Sequence, residues 1–293
     1  MFWRFMAIIC PEYITMSLQE EYRFFLAHSA ENVRLFCVHG EEYRMTNSPK
    51  EILNIWISNG KNKAALPVYK MILLGILAGM FIGFGCHVFV LATASEVTTV
   101  SKLIGAALFP VGLMMVIFCG AELFTGNNLM TLALMKKEIT VQGLLKNWCF
   151  VYLGNLIGSV LLAFFLAKSG LYTGDAMNRA MAVAASKANM PFMDAVIRGI
   201  LCNILVVLAC WFQAGSKEMS GKIFAVWFPI MMFVFAGFEH SVANMTYIPL
   251  GMFLGADVTI GGFLLGNLIP VTIGNLIGGA LFIPVFYTLI YKD

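Results

Sequence analysis

The chain has 293 residues, of which 60% are apolar and only 12% are charged, about half the charged fraction of a soluble globular domain. Its 19 basic and 16 acidic residues leave a net charge of +3, which is too mild for a surface that binds nucleic acid. The charges are concentrated in the first 70 residues. The rest of the chain is too apolar for a soluble, a disordered or a small disulfide-bonded protein and must face lipid.

The first 44 residues differ from the rest in their basic residues. They hold arginine but no lysine, whereas lysine dominates from Met45 onward. Codons for Gly40-Glu41-Glu42 are rich in purines and stand a short distance before the codon for Met45. We expect translation to start at Met45, so that residues 1–44 are upstream sequence read in frame. The alternative is that they form a cytosolic extension.

Residues 45–69 are predicted to form a short amphipathic helix. Ser48, Pro49 and Glu51 have the spacing of a capping box with proline at the first helical position. Four apolar side chains then share one helix face: Ile52, Leu53, Ile55 and Trp56. Such a helix lies either at the cytosolic membrane surface or against its own protein.

Residues 70–293 are predicted to form an all-α membrane domain with six spans. The candidate spans are residues 70–92, 103–135, 146–167, 194–213, 222–254 and 265–290. The second and fifth are too long for one straight helix across a bilayer. Because polar clusters interrupt both, we expect these two helices to be broken.

The basic residues orient these spans. With the N-terminus in the cytosol, nine basic residues of the membrane domain and its flanks fall on the cytosolic side. Five fall on the other side: Lys102, Lys168, Arg179, Lys187 and Arg198. The excess predicts a multi-pass protein of the cell membrane with both termini in the cytosol.

The membrane domain contains an internal repeat. Gly75-Ile76-Leu77 matches Gly199-Ile200-Leu201 at an offset of 124, and Gly154-Asn155-Leu156-Ile157-Gly158 matches residues 274–278 at an offset of 120. The polar cluster at 120–127 likewise matches residues 237–244. Each half has three spans, an odd number, so we expect an inverted 3+3 repeat, as in transporters and channels.

The two interruptions are the best pointers to a functional site, because non-helical backbone at membrane depth must line a cavity or be buried in protein. Glu122 and Glu239 occupy equivalent places before a resuming helix, and we expect them to accept hydrogen bonds from its free N–H groups. Asn127 and Asn244 are expected to hold the broken backbone in the same way.

His240 is the strongest candidate for a functional side chain. It lies in the second interruption, and an ionisable group at membrane depth is a functional candidate by default. Thr125 in the first interruption has a hydroxyl that can bind a permeant. His87 lies on the first span without such a break and is expected to be structural. Lys187, taken alone, is a loop lysine.

No metal or cofactor is predicted. The seven cysteines form no CxxC pair and mostly lie in apolar runs. A haem-binding membrane oxidoreductase would need convergent axial ligands, for which the apolar part offers His87 and His240. An aquaporin-like channel for neutral solutes would show paired Asn-Pro-Ala motifs, and neither interruption has one.

At these residues the chain resembles the formate/nitrite transporter family. Four segments carry the resemblance: Gly120-Ala121-Glu122-Leu123-Phe124-Thr125-Gly126, the stretch 199–209, the stretch 237–245 around His240, and the stretch 267–275. The resemblance extends from about Met45 to Asp293. Val207 departs from it, because the family usually has cysteine there.

The resemblance implies an aquaporin-like protomer in a homopentamer, with one pore in each subunit. Its permeants would be small monovalent weak-acid anions, formate foremost, with nitrite, hydrosulfide and short carboxylates as alternatives. It implies His240 as the pore histidine, Thr125 as its partner and Lys187 as the outer lysine that attracts anions. Asn203 and Asn244 are also placed at the pore. The implied constrictions are Phe109, Phe124 and Val206 toward the outside, and Leu113, Leu123 and Phe233 toward the cytosol.

The expected mechanism is proton-coupled passage as the neutral acid. A buried unpaired charge is costly, whereas a neutral acid is far easier to bury. Desolvation raises the pKa of an entering anion, so it takes up a proton before the constrictions. The residues leave open whether His240 donates that proton or only orients the permeant.

Overall fold

A computed structural model describes residues 34–38 and 41–291. Within these residues six helices are long and apolar enough to cross a membrane: Val68–Ala92, Thr99–Phe118, Val141–Lys168, Phe192–Gly215, Met219–Ala236 and Gly262–Ile290. They begin and end within a few residues of the six predicted spans, apart from the second and fifth. The predicted class, an all-α membrane protein, is confirmed.

The elements follow in chain order. The strands are β1 (Arg34–Val38) and β2 (Glu41–Arg44). The helices are α1 (Pro49–Ala65), α2 (Val68–Ala92), α3 (Thr99–Leu108), α4 (Val111–Phe118), α5 (Phe124–Asn127), α6 (Thr131–Met135), α7 (Val141–Lys168), α8 (Gly174–Ala188), α9 (Phe192–Gly215), α10 (Met219–Ala236), α11 (Ser241–Phe253) and α12 (Gly262–Ile290). A 3₁₀ turn, Asn128–Met130, joins α5 to α6. Helix α12 contains π turns at Gly262–Leu268 and Ile277–Phe282.

The two strands lie in the first of the two units into which the chain divides, and the helices lie in the second, Thr46–Asp293. They pair antiparallel, with Val38 opposite Glu41 and Arg34 opposite Arg44. The hypothesis that residues 1–44 are upstream sequence concerns mostly residues outside those described, and the start at Met45 stays a prediction.

Helix α1 begins as the sequence predicts. The Ser48 side chain accepts from the Glu51 N–H, and the Glu51 carboxylate accepts from the Ser48 N–H at 2.6 Å. The apolar face is buried against the end of the first interrupted helix and against α9, in a cluster of Ile52, Leu53, Trp56, Leu129, Leu132, Val207, Cys210, Trp211 and Ala214. Helix α1 therefore packs on its own protein, and its position relative to the bilayer stays a prediction.

Glycines bring two pairs of membrane helices into direct backbone contact. A Cβ atom on Gly75 of α2 would lie 2.9 Å from the Val151 carbonyl oxygen of α7. A Cβ atom on Gly199 of α9 would lie 2.8 Å from the Val271 carbonyl oxygen of α12. These are equivalent positions of the two sequence repeats, so the same close approach is built twice.

The chain leaves helical geometry between α4 and α5 and again between α10 and α11. Gly120 and Gly237 follow the ends of α4 and α10 with φ of 70° and 75°, a left-handed conformation that glycine adopts without steric cost. Both glycines lie in the polar clusters at 120–127 and 237–244. That the second and fifth membrane helices are broken, and that the two halves are inverted, stay predictions.

The close helix contact at Gly75 is testable. Gly75→Ala should lower the free energy of unfolding by about 1–3 kcal/mol, because the added methyl group meets backbone atoms that cannot yield. The apparent melting temperature of the detergent-solubilised protein measures this. The matched control is Gly261→Ala, where the nearest atom, Thr259 Oγ1, lies 3.7 Å from the added carbon. Equal melting temperatures for the two variants would contradict the packing argument.

Candidate pore and its charged ends

A very small apolar cavity lies where the two interruptions meet. Its volume is about 10 Å³, close to the space that a single water molecule needs. It is lined by Ile82, Phe109, Leu113, Leu123, Val206, Ile230, Phe233 and His240. We call this the constriction cavity. Its wall is apolar apart from His240, so an ion there would lose its hydration without a charged partner.

Five of the six predicted constriction residues line this cavity, and Phe124 does not. The Phe124 ring packs instead against Tyr152 and Trp148 of α7, with centroids 4.8 and 6.1 Å away. Phe109 and Phe233, predicted for opposite rings, lie edge to face at 5.7 Å. The structure thus gathers the predicted rings into one region, and the role of Phe124 stays a prediction.

The His240 ring lies between two hydrogen-bond partners. Its Nδ1 accepts from the Ala243 main-chain N–H at 3.0 Å, and its Nε2 lies 2.9 Å from the Thr125 hydroxyl. Because Nδ1 accepts, the neutral ring carries its proton on Nε2 and donates it to Thr125. The Thr125 hydroxyl hydrogen is then left to donate elsewhere. The two predicted pore residues therefore form one polar unit at the constriction.

One asparagine holds the open main chain of the second interruption. Asn275 Oδ1 accepts from the Ser241 N–H, the first of α11, at 2.9 Å. Its Nδ2 donates to the carbonyls of Glu239 and Gly199 at 2.9 and 2.8 Å. We expected Glu239 to satisfy this helix end, but the free main chain includes both donors and acceptors. An amide can serve both, whereas a carboxylate only accepts.

The first interruption has the same arrangement. Asn155 Oδ1 accepts from the Phe124 N–H, and its Nδ2 donates to the carbonyls of Glu122 and Gly75, each at 2.9 Å. We call Asn155 and Asn275 the asparagine brackets. Each is fully buried. Asn155 lies on α7, which contacts α2 at Gly75, and Asn275 lies on α12, which contacts α9 at Gly199.

The carboxylate of Glu239 belongs to a cluster with a lysine. Lys187 Nζ lies 2.8 and 3.0 Å from the two Glu239 oxygens. Asn244 donates to Glu239 at 2.7 Å and to Asn267 Oδ1 at 2.7 Å, and Asn267 donates to the Lys187 carbonyl at 2.9 Å. The Lys187 ammonium also lies 5.3 Å from the centre of the Tyr247 ring. Lys187 is therefore no solvated loop lysine; it ends α8 as part of this Lys187 cluster.

An equivalent lysine, Lys63, is not among the residues predicted from the sequence. It pairs with Glu122 at 2.5 Å. Asn127 donates to Glu122 at 2.7 Å and to Asn147 at 2.8 Å, and Asn147 donates to the Lys63 carbonyl at 3.1 Å. The repeat held the signal: the offset of 124 that relates Gly75 to Gly199 also relates Lys63 to Lys187. We call this the Lys63 cluster.

Asn203 lies behind the pore wall. It is fully buried and donates to the Asn275 carbonyl at 2.7 Å and to the Thr125 carbonyl at 3.4 Å. Asn203 thus holds the main chain of Thr125 rather than lining the constriction cavity. His87, expected to be structural, bonds the Tyr172 hydroxyl at 2.9 Å.

A larger cavity of about 300 Å³ adjoins the constriction on the Lys187 side. Phe109, Phe233 and His240 line both cavities. We call this larger cavity the Lys187 vestibule.

Six membrane-competent helices around a polar unit in an apolar constriction, with an open vestibule leading to it, define a membrane transport channel and not an enzyme. The chain belongs to the formate/nitrite transporter family, whose sequence model matches residues 50–289.

Individual relatives agree with this assignment. The uncharacterized transporter YrhG of Bacillus subtilis is 43% identical over 249 residues, which cover 83% of this chain and 93% of YrhG. The probable formate transporter of Methanothermobacter thermautotrophicus is 40% identical, over 83% of this chain and 97% of its own. A solved pentameric formate channel with formate bound is 33% identical, with a TM-score of 0.69, over 77% of this chain and 98% of its own.

The asparagine brackets are testable by stability. Asn275→Leu should leave the Ser241 N–H and the Glu239 carbonyl without partners, at about 1–3 kcal/mol each. We expect a large drop in the apparent melting temperature, and a similar one for Asn155→Leu. Asn178→Leu, at an exposed position of α8, is the control. An apparent melting temperature of Asn275→Leu equal to that of the control would contradict this role of the asparagine brackets.

Proposed function

We propose that this protein is a channel for small monovalent weak-acid anions in the cell membrane, with formate as the main substrate and nitrite, hydrosulfide and short carboxylates as further candidates. The names of its relatives support formate. The observation that carries the proposal is the pairing of His240 with Thr125 in an otherwise apolar constriction. This arrangement offers hydrogen bonds to a small polar solute but no charge to an anion.

Passage as the neutral acid follows from the lining of the constriction cavity, which is apolar apart from His240. A bare charge among phenylalanine and leucine side chains is very unfavourable. Protonation removes that charge. The anion therefore takes up a proton at the entrance to the constriction, where desolvation raises its pKa.

His240 acts in this proposal by directing the Thr125 hydroxyl, whose hydrogen is left to donate to the permeant, and not as the proton source. Protonation of the ring at Nδ1 would require Nδ1 to donate, and the Ala243 N–H already occupies that position as a donor. A proton lost from Nε2 would leave an anionic ring. The neutral ring therefore persists while Thr125 and His240 together bind each passing acid.

The two lysine clusters mark the two ends of the pore. Each holds an ammonium group beside a buried carboxylate, with Lys187 on the predicted outer side and Lys63 on the predicted cytosolic side. An anion that approaches either end meets a lysine before it meets the constriction. We propose that both lysines assist entry, in a homopentamer of the kind formed by the solved relative, with both termini in the cytosol.

The role of His240 is tested by flux. In proteoliposomes under an inward proton gradient, wild-type protein should take up formate faster as the external pH falls, because more of the substrate is the neutral acid. His240→Phe should abolish this uptake. His87→Phe, the same replacement outside the constriction, is the control. Undiminished pH-dependent uptake by His240→Phe would exclude His240 from the mechanism.

The proposed role of Lys187 and Lys63 in anion entry is tested by removing their charges. Lys187→Gln and Lys63→Gln each leave a carboxylate uncompensated at one end of the pore, so uptake at low formate should fall about tenfold or more. Lys61→Gln on the same helix as Lys63 is the control, since Lys61 pairs with Glu138 at the exposed surface. An unchanged concentration dependence for Lys187→Gln or Lys63→Gln would show that the lysine serves only to hold its cluster together.

A further inference from the structure

The net positive charge of the Lys187 vestibule comes from residues other than Lys187. Four cationic side chains line it: Lys102, Arg179, Lys187 and Arg198. Among the described residues that line it, Glu239 is the one carboxylate. Lys187 and Glu239 form an ion pair with each other, so their charges largely cancel for an anion some distance away. The positive charge that such an anion meets is that of the other three residues.

Arg179 is held toward this vestibule by a buried partner. Its Nε–H donates to Thr93 Oγ1 at 2.9 Å, and the fully buried Thr93 donates in turn to the Phe89 carbonyl at 2.9 Å. Phe89 also lines the vestibule. A guanidinium group has five N–H donors in a planar fork, and only one is used here. The remaining donors match the two oxygens of a carboxylate.

The two arginines are absent from the equivalent places of the other half. The offset of 124 relates Arg198 to Leu74 and Arg179 to Ile55. The match is structural as well, because the Glu239 N–H donates to the Arg198 carbonyl just as the Glu122 N–H donates to the Leu74 carbonyl, both at 3.2 Å. Only the main chain of Arg198 serves the shared architecture. Its side chain takes no part in this shared hydrogen bond, and neither does that of Arg179.

We propose that Arg179, Arg198 and Lys102 form an anion-capture site in the Lys187 vestibule, which binds small carboxylates in their ionised form before the constriction. This rests on the proposed function, since capture serves entry into the pore. A vestibule of about 300 Å³ also admits a small dicarboxylate such as oxalate. Oxalate carries two charges, and uptake of one proton does not make it neutral. Oxalate therefore binds the same cations but does not pass the apolar constriction, and it blocks the pore from the side of the Lys187 vestibule.

Binding and flux test the site separately. Isothermal titration of oxalate into detergent-purified wild type should show binding that weakens with salt, because the attraction is between charges. The triple variant Lys102→Gln/Arg179→Gln/Arg198→Gln should lose it. Lys168→Gln, exposed on the same predicted side and outside the vestibule lining, should bind as wild type. Arg179→Lys keeps the charge and should bind better than Arg179→Gln.

Formate flux is then measured in membrane vesicles of both orientations. Each single neutralisation should raise the half-saturating formate concentration about two- to threefold, and only for entry from the vestibule side. Oxalate should inhibit from that side in wild type and in Lys168→Gln, but not in the triple variant.

The outcomes separate the two claims. A wild type that carries no formate contradicts the proposed function, while oxalate titration still tests the capture site. A wild type that carries formate, together with a triple variant that binds oxalate and is inhibited like the control, overturns the capture site alone. Gel filtration confirms that each variant retains the wild-type assembly.

Discussion

The structure depends on satisfying backbone groups where two helices stop inside an apolar protein. Lipid offers no hydrogen bonds, so each N–H and C=O released at an interruption needs a partner from the protein itself. Asn155 and Asn275 supply these partners, one amide to each interruption. Each asparagine reaches these main-chain groups because glycines allow its helix to pack directly against the backbone of the neighbouring helix. The constriction, with Thr125 on one broken chain and His240 on the other, is positioned by these two amides.

Charge is arranged around this scaffold in two different ways. Inside the lysine clusters each ammonium group has a carboxylate partner, so the buried parts of the pore hold little net charge. In the vestibule on one side, Arg179, Arg198 and Lys102 leave a net positive charge. Balanced pairs stabilise buried polar structure, whereas unbalanced charges act on ions in solution. The two halves share the first arrangement and differ in the second.

The sequence predicts most of the fold and part of the site. Span positions follow from apolar length, and the interruptions follow from polar residues in otherwise apolar runs. His240 and Thr125 could be identified from the sequence because a polar side chain at membrane depth is costly and therefore a candidate for function. The partnership of Lys63 with Glu122 joins residues 59 positions apart, which no local pattern reveals. The repeat offset does relate Lys63 to Lys187. A lysine in a polar segment is not distinctive in sequence, however, until the equivalent residue Lys187 is found in a cluster with Glu239.

Under the proposed passage as the neutral acid, the apolar lining of the constriction cavity would also determine which gradient can drive transport. A membrane potential acts on a moving charge, by about 2.3 kcal/mol for one elementary charge across 100 mV. A permeant that crosses the Phe109–Phe233 region as the neutral acid carries no charge through it. The membrane potential then does no work on the permeant, and the distribution of the acid follows the pH difference between the two sides. A cell would gather the anion when its interior is the more alkaline side and release it through the same pore when the difference reverses.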